Sequence, residues 1–236
     1  MIRAVFLDAG GTLVFDHGFR ERLAEEIACC LSEHGLQPPP RERILDAWAR
    51  PPWSGNFEYW DLMKAAAMLR RLGFMPRPEL VEDVYRHVLH AYRRGFRMDP
   101  AVPRVLRELR EMGLTVGVIS NVGNYEIVSE RFEALGIRHM VDLIVASQAA
   151  VWKKPSPEIY RLACFLAGVE PGEAVHVGDH PELDIAAAKR AGLRAVQVLK
   201  AAPERSKIAD AWIDTVGALP EVIRSWIGIP ASRGSP

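Results

Sequence analysis

No run of apolar residues in this chain approaches the roughly 18–20 needed to cross a bilayer, so no membrane span is expected. The opening MIRAVFLDAGG carries one basic side chain and an apolar run that Asp8 interrupts, too short and too early broken for a signal peptide. An excess of either charge is missing as well. The 30 basic and 30 acidic side chains cancel, which removes the overall positive field that draws proteins to nucleic acid or to an anionic membrane surface. Cysteine is scarce: Cys29, Cys30 and Cys164 are odd in number and two are adjacent, a poor disulfide framework. The expectation is a protein of the reducing cytoplasm with neither nucleic acid nor membrane as partner. Internal repeats and low-complexity segments are also missing.

What is present is a 49% apolar chain of 236 residues, enough for one large domain or for a core carrying an inserted smaller one. From residue 101 onward, β-branched runs alternate with helical patterns: TVGVIS (115–120), VDLIVA (141–146), AVHVG (174–178) and RAVQV (194–198). Such alternation predicts a Rossmann-like α/β fold, a parallel sheet with helices on both faces. IRAVFLD (2–8) reads as one more strand, nearly continuously apolar as a strand buried on both sides must be, with Asp8 at its carboxyl end. Between these parts the period changes. RERLAEEIACCLSEHGL, RERILDAWAR, EYWDLMKAAAMLRRLGF and ELVEDVYRHVLHAYRRGF are amphipathic at helical spacing, broken by the prolines of QPPPR, RPPWSGN and MPRP. The predicted organisation is a core of residues 1–16 and 99–229, an all-helical insertion at 17–98 and a disordered tail at 230–236.

Open α/β sheets bind ligands beyond the carboxyl ends of their strands, so polar residues there come first. Asp8, Ser120, Lys154 and Asp179 stand out. Singly, a strand-end Asp or Ser is more often the N-cap of the next helix. Asp8 is different in preceding Gly10 and Gly11, which let the backbone turn sharply and approach a ligand, something a cap does not require.

DAGGTL (8–13), VISN (118–121), KP (154–155) and GDHPELD (178–184), in this order, resemble the four motifs of haloacid dehalogenase-like hydrolases. The insertion after the first motif resembles the class I helical cap. The resemblance implies a phosphatase for a small phosphorylated metabolite, with Asp8 as the nucleophile that forms an aspartyl-phosphate. It implies Mg²⁺ on Asp8, Asp179 and the Gly10 carbonyl, with Asp184 as ligand or support. Ser120, the backbone N–H of Asn121 and the Lys154 ammonium would hold the phosphoryl oxygens. Asp184 reads equally as a first-turn acid complementing a helix dipole, and Lys153–Lys154 as a solvated pair.

One position departs from the family. Phosphatases of this kind carry a second aspartate two residues after the nucleophile, as acid for the leaving group and base for water; here that position is Gly10. Loss of a positioned general acid costs roughly 10²–10⁴-fold, most for poor leaving groups. Asp16 is the first candidate to replace it. Dehalogenases also lack that aspartate, but a metal-free site gains nothing from the acids of GDHPELD. Phosphonate hydrolases recruit a cap lysine, for which Lys64 is the candidate. A degenerate protein that binds a phosphorylated ligand or a protein partner without turnover is the alternative that Gly10 favours. Within the insertion, Trp53, Asn56, Tyr59 and Trp60 combine flat apolar surface with polar tips and are candidates for selecting substrate; Tyr59 and Trp60 also suit packing within the helices. A monomer or a homodimer is expected.

Overall fold

The computed structural model describes residues 1–50 and 55–228. Six strands form one sheet in the order β5-β4-β1-β6-β7-β8: β1 (Ala4–Leu7), β4 (Thr115–Ser120), β5 (Leu143–Ala146), β6 (Ala174–Gly178), β7 (Arg194–Val198) and β8 (Ala211–Ile213). Every pairing in it is parallel. After β1 the chain builds outward through β4 and β5 on one side, then returns to build β6, β7 and β8 on the other. The change of direction therefore falls at β1, the place where such sheets open a ligand crevice.

β1 is central, and all four of its residues are buried. Successive side chains of a strand point to opposite faces, so Ala4 and Phe6 share one face with Ile119 and Val145. Against that face pack Ile159, Tyr160 and Ala163 of a helix at Pro157–Ala167, and Ala187 and Ala188 beyond a π-helical turn at Pro181–Ala186. Val5 and Leu7 are buried on the opposite face. A helix at Val102–Glu111, which lies along β4, buries Val102, Val105, Leu106 and Leu109.

The chain divides into two compact units, residues 1–15 with 97–236, and residues 16–96. Two short strands, β2 (Val14–Asp16) and β3 (Phe96–Met98), pair where the chain passes from one unit to the other. The second unit consists of α1 (Phe19–Glu33), α2 (Arg41–Ala49), α3 (Asp61–Leu72) and α4 (Pro78–Tyr92). Their apolar stripes follow the 3.6-residue period: Leu23, Ile27 and Leu31 on α1, Ala65, Met68, Leu69 and Leu72 on α3, and Val81, Val84 and Val88 on α4. These side chains meet in a core of their own, where full burial of each large aliphatic group contributes about 1.5–3 kcal/mol. α3 stops at Gly73, whose left-handed φ of 93° lets its N–H and that of Phe74 return to the carbonyls of Arg70 and Leu69. Pro78 opens α4 at a position where a missing N–H costs nothing.

The predicted strands at 115–120, 174–178 and 194–198 form over those spans, the strand predicted at 2–8 forms over Ala4–Leu7, and the strand predicted at 141–146 forms over its last four residues. The region 17–98 is not wholly helical: its last residues, Phe96–Met98, form β3. The tail from 230 and Trp53 lie outside the described residues.

Candidate active site

Parallel register brings three strand ends together. Leu7 of β1 is level with Val118 of β4 and Val177 of β6, so Asp8 emerges between the ends that carry Ser120 and Asp179. The Asp8 backbone is fixed there by its N–H donating to the Val177 carbonyl at 2.8 Å. Beyond Asp8 the chain turns back at once: the Val14 N–H reaches the Ala9 carbonyl and the Gly11 N–H reaches the Val14 carbonyl. That bridge leaves the carbonyl of Gly10 outside it. Gly11 has a φ of +84°, and a β-carbon there would stand 2.6 Å from an Asp179 carboxylate oxygen. Only glycine lets this turn lie against Asp179.

Asp8, Lys154 and Asp184 form a buried row. The Lys154 ammonium donates to Asp8 Oδ1 at 2.5 Å and to Asp184 Oδ1 at 2.7 Å, and all three residues are at least nine-tenths buried. Asp184 also accepts from the His176 ring at Nε2, 3.0 Å away, and from the His180 backbone N–H at 3.0 Å. Burial raises the Asp8 carboxyl to about 7; Lys154 opposes this and the Asp184 charge reinforces it. Burial also works to raise Asp184, yet Lys154 and His176 outweigh it and hold that carboxyl below its ordinary value. Two carboxylates thus share one ammonium. Asp179, half-buried, is raised by burial and by the Asp184 charge. One oxygen from each of Asp8, Asp179 and Asp184 lies within 4.8 Å of the others. An all-carboxylate donor set of this kind suits a hard dication such as Mg²⁺ better than a soft metal.

The structure therefore brings together Asp8, Lys154, Asp179 and Asp184, with Gly10 in the adjoining turn and Ser120 buried at the end of the neighbouring strand. Asn121 has a second connection. Its side-chain amide donates to the Lys154 carbonyl at 2.9 Å and its Oδ1 accepts from the Lys154 N–H at 2.8 Å, a two-point grip on the lysine's main chain. Asp16 is engaged elsewhere: its carboxylate pairs with the Arg22 guanidinium within the helical unit. Lys64 is tied at 2.8 Å to Glu58 and at 3.1 Å to Asp61. Burial would lower the Lys64 pKa, but these carboxylates raise it, the reverse of what an imine-forming lysine requires. Asn56 is exposed, Tyr59 is half-buried, and Trp60 is partly exposed with its indole N–H donating to the Tyr85 hydroxyl at 3.2 Å.

Two residues of the site escaped the sequence reading. His176 looks like an interior position of a buried strand, yet its ring helps hold Asp184 and stands edge-on to Tyr160. Gly178 is needed because a β-carbon there would come within 2.3 Å of the Asp184 Cγ. The usable signal was a polar histidine inside an otherwise apolar strand run, two residues before a glycine-aspartate pair.

A parallel sheet whose central strand ends in a buried, lysine-paired aspartate defines a class of hydrolases, and the comparisons give its family. The sequence model of the haloacid dehalogenase-like hydrolases matches residues 2–192, and the chain belongs to that family. It is 32% identical over 205 residues to a glyceraldehyde 3-phosphate phosphatase of Methanopyrus kandleri, covering 84% of each chain. It is 32% identical over 148 residues to a phosphoserine phosphatase of Thermus thermophilus, covering 62% of this chain and 56% of that one. Among solved structures, a 2-haloacid dehalogenase from Pseudomonas syringae superposes with a TM-score of 0.77 at 26% identity, over 96% of this chain and all of that one. No helix among the described residues is long and apolar enough to cross a membrane.

Proposed function

We propose that this hydrolase is a Mg²⁺-dependent phosphatase of small phosphorylated metabolites that works through an aspartyl-phosphate on Asp8. The observation that carries the reading is the cluster of Asp8, Asp179 and Asp184 oxygens within 4.8 Å of one another, where a single ammonium pairs with Asp8 and Asp184. A dehalogenase needs no metal. Here the acids outnumber the cation, which favours a dication. Two relatives named as phosphatases point the same way.

Asp8, Asp179 and the Gly10 carbonyl would hold Mg²⁺, with Asp184 supporting them, and the ion would neutralise the phosphoryl charge that otherwise repels a carboxylate. Lys154 engages Asp8 Oδ1, so Oδ2 is the oxygen left to attack phosphorus. The phosphorus bond to the leaving oxygen breaks as the new bond to Asp8 forms. Ser120, the Asn121 N–H and Lys154 orient the phosphoryl oxygens, and Asn121 keeps Lys154 in place through its main chain. Water then cleaves the acyl phosphate and restores Asp8. Gly10 offers no carboxylate for either proton transfer, so activated aryl and acyl phosphates should be the better substrates. The helical unit would act as the cap that excludes water and selects the leaving group, with Asn56, Tyr59 and Trp60 as candidate contacts.

The test is phosphate release from a panel of phosphorylated metabolites and an aryl phosphate, with Mg²⁺ and with chelator. Metal-dependent release supports the reading; halide release from 2-haloacids without phosphate release overturns it. The second reading, a binding protein without turnover, is favoured by Gly10 alone. It prevails if no ester gives phosphate or phospho-enzyme while a phosphorylated ligand still binds.

A further inference from the structure

We propose that Glu26, His87 and His90 form a second metal site, for a borderline divalent transition ion of the Zn²⁺ type, bridging α1 and α4 of the helical unit. Glu26 and Glu33 lie two turns apart along α1, and His87 and His90 lie three residues apart on α4, so each pair shares a face. One donor atom from each of Glu26, His87 and His90 falls within 4.8 Å of the other two. The two imidazole rings stand 5.9 Å apart, centroid to centroid.

The surroundings of His87 carry the inference. Its Nδ1 is 2.9 Å from Glu26 Oε2, and its Nε2 is 3.3 Å from Glu33 Oε2. Metal-bound histidines characteristically give the remote ring N–H to a carboxylate, which fixes the tautomer and aims the other nitrogen's lone pair at the ion. Glu33 is placed to do this for His87. An unprotonated Nδ1 facing a carboxylate oxygen at 2.9 Å then needs a cation to reconcile two electron pairs. The other oxygen of Glu26 is engaged by Arg94, which orients the carboxylate. Glu26 and His87 are mostly buried, whereas His90 is exposed and leaves a route of entry.

Two imidazoles and a carboxylate, with a fourth position left for water, match the ligand types and number of an open Zn²⁺ site, and they discriminate against Mg²⁺. The rival occupant is a proton. An imidazolium at His87 would satisfy both glutamates and would give His90 no part. Cys29 is the rival ligand, since its Sγ lies 3.4 Å from Glu33 Oε1 on the same face of α1.

The experiment uses the full, untagged chain with Mg²⁺ in excess to saturate the carboxylate cluster at the sheet end. Zn²⁺ is titrated by calorimetry and by thermal melting, and Co²⁺ supplies a spectroscopic probe of imidazole ligation. The expected result is one Zn²⁺ bound in the micromolar range with a raised melting temperature and tetrahedral Co²⁺ absorption. His87→Gln and His90→Gln should each weaken binding at least about tenfold and remove the shift. Asp179→Asn and Cys29→Ser should leave both unchanged. Wild-type Zn²⁺ binding in the double histidine variant overturns the proposal, as does its loss in Cys29→Ser. A melting temperature that responds to His87→Gln but not to Zn²⁺ assigns the site to the proton and overturns it too.

Discussion

Each of the two units buries a lysine against two acids, and the two clusters differ in every respect that matters for chemistry. In the helical unit Glu58, Asp61 and Lys64 come from seven consecutive positions at the start of α3. Asp61 lies in the first turn, where the helix dipole favours a negative charge, and Lys64 is one turn further along. This trio is a local device that fixes how a helix begins. At the sheet end, Asp8 and Lys154 are 146 positions apart and meet only because parallel strands end together. A third carboxylate, Asp179, stands beside them at the edge of solvent. Burying a lysine between two acids is therefore not itself a sign of catalysis. Assembly from distant strand ends, with a spare half-buried acid, is the better sign.

The largest effect that would break this comparison concerns the central aspartates. Asp8→Asn should lower phosphate release by more than about 10⁴-fold with the fold intact, because the amide keeps the volume and loses the proposed nucleophile. Asp61→Asn should leave turnover within a few-fold. Steady-state rates and circular dichroism on both variants check this; comparable losses would erase the distinction drawn above.

Next come the lysines. Lys154→Met leaves two buried carboxylates facing each other and should cost about 3–5 kcal/mol in chelator, measured by urea unfolding. Part of this should return with Mg²⁺. Lys64→Met should cost less, since its side chain is partly exposed, and Mg²⁺ should restore none of it.

Gly10 sharpens the comparison through an acid the site lacks. A β-carbon at Gly10 would meet nothing within 4 Å, and its φ lies outside the left-handed region, so the backbone accepts aspartate. Gly10→Asp should raise alkyl phosphate turnover by about 10²-fold while aryl phosphate turnover changes little. An unchanged alkyl-to-aryl ratio, with Mg²⁺ binding preserved, would mean that another group already supplies the proton.

The smallest effect separates Asp179 from Asp184. Both oxygens of Asp184 are taken by Lys154, His176 and the His180 N–H, so its part is to hold the others in place. Asp179→Asn should weaken Mg²⁺ more than Asp184→Asn does, by about tenfold in the midpoint of metal titrations of activity. Equal midpoints would put both acids on the metal alike.

Much of the sheet was legible because short β-branched runs alternate with helical patterns, as they do at β4, β6 and β7, even where His176 or Gln197 interrupts the apolar residues. β2, β3 and β8 were not, since three residues are too few to show a period. The positions of Asp8, Asp179 and Lys154 followed from strand ends and motif order. What did not follow is how the acids are held. A histidine pointing from the interior of β6, a glycine that makes room for Asp184, and an amide that grips main-chain atoms depend on contacts across 8, 6 and 33 positions. None of these leaves a periodic trace. Trp60 shows the opposite limit: aromatic and near a helix start, it suits packing by pattern, yet its indole stays partly in water beside Tyr85.

The central place of β1 also bears on how the chain is made. Its partners are β4 and β6, so this strand, made before the rest of the sheet, has nothing to pair with until residue 120, and its second edge stays open until residue 178. At roughly 5–20 residues per second the first wait alone is on the order of ten seconds. The helical unit, drawn from one continuous stretch, can collapse on its own core during that interval. The apolar AVFL segment that leads to Asp8 is meanwhile without either of its sheet partners.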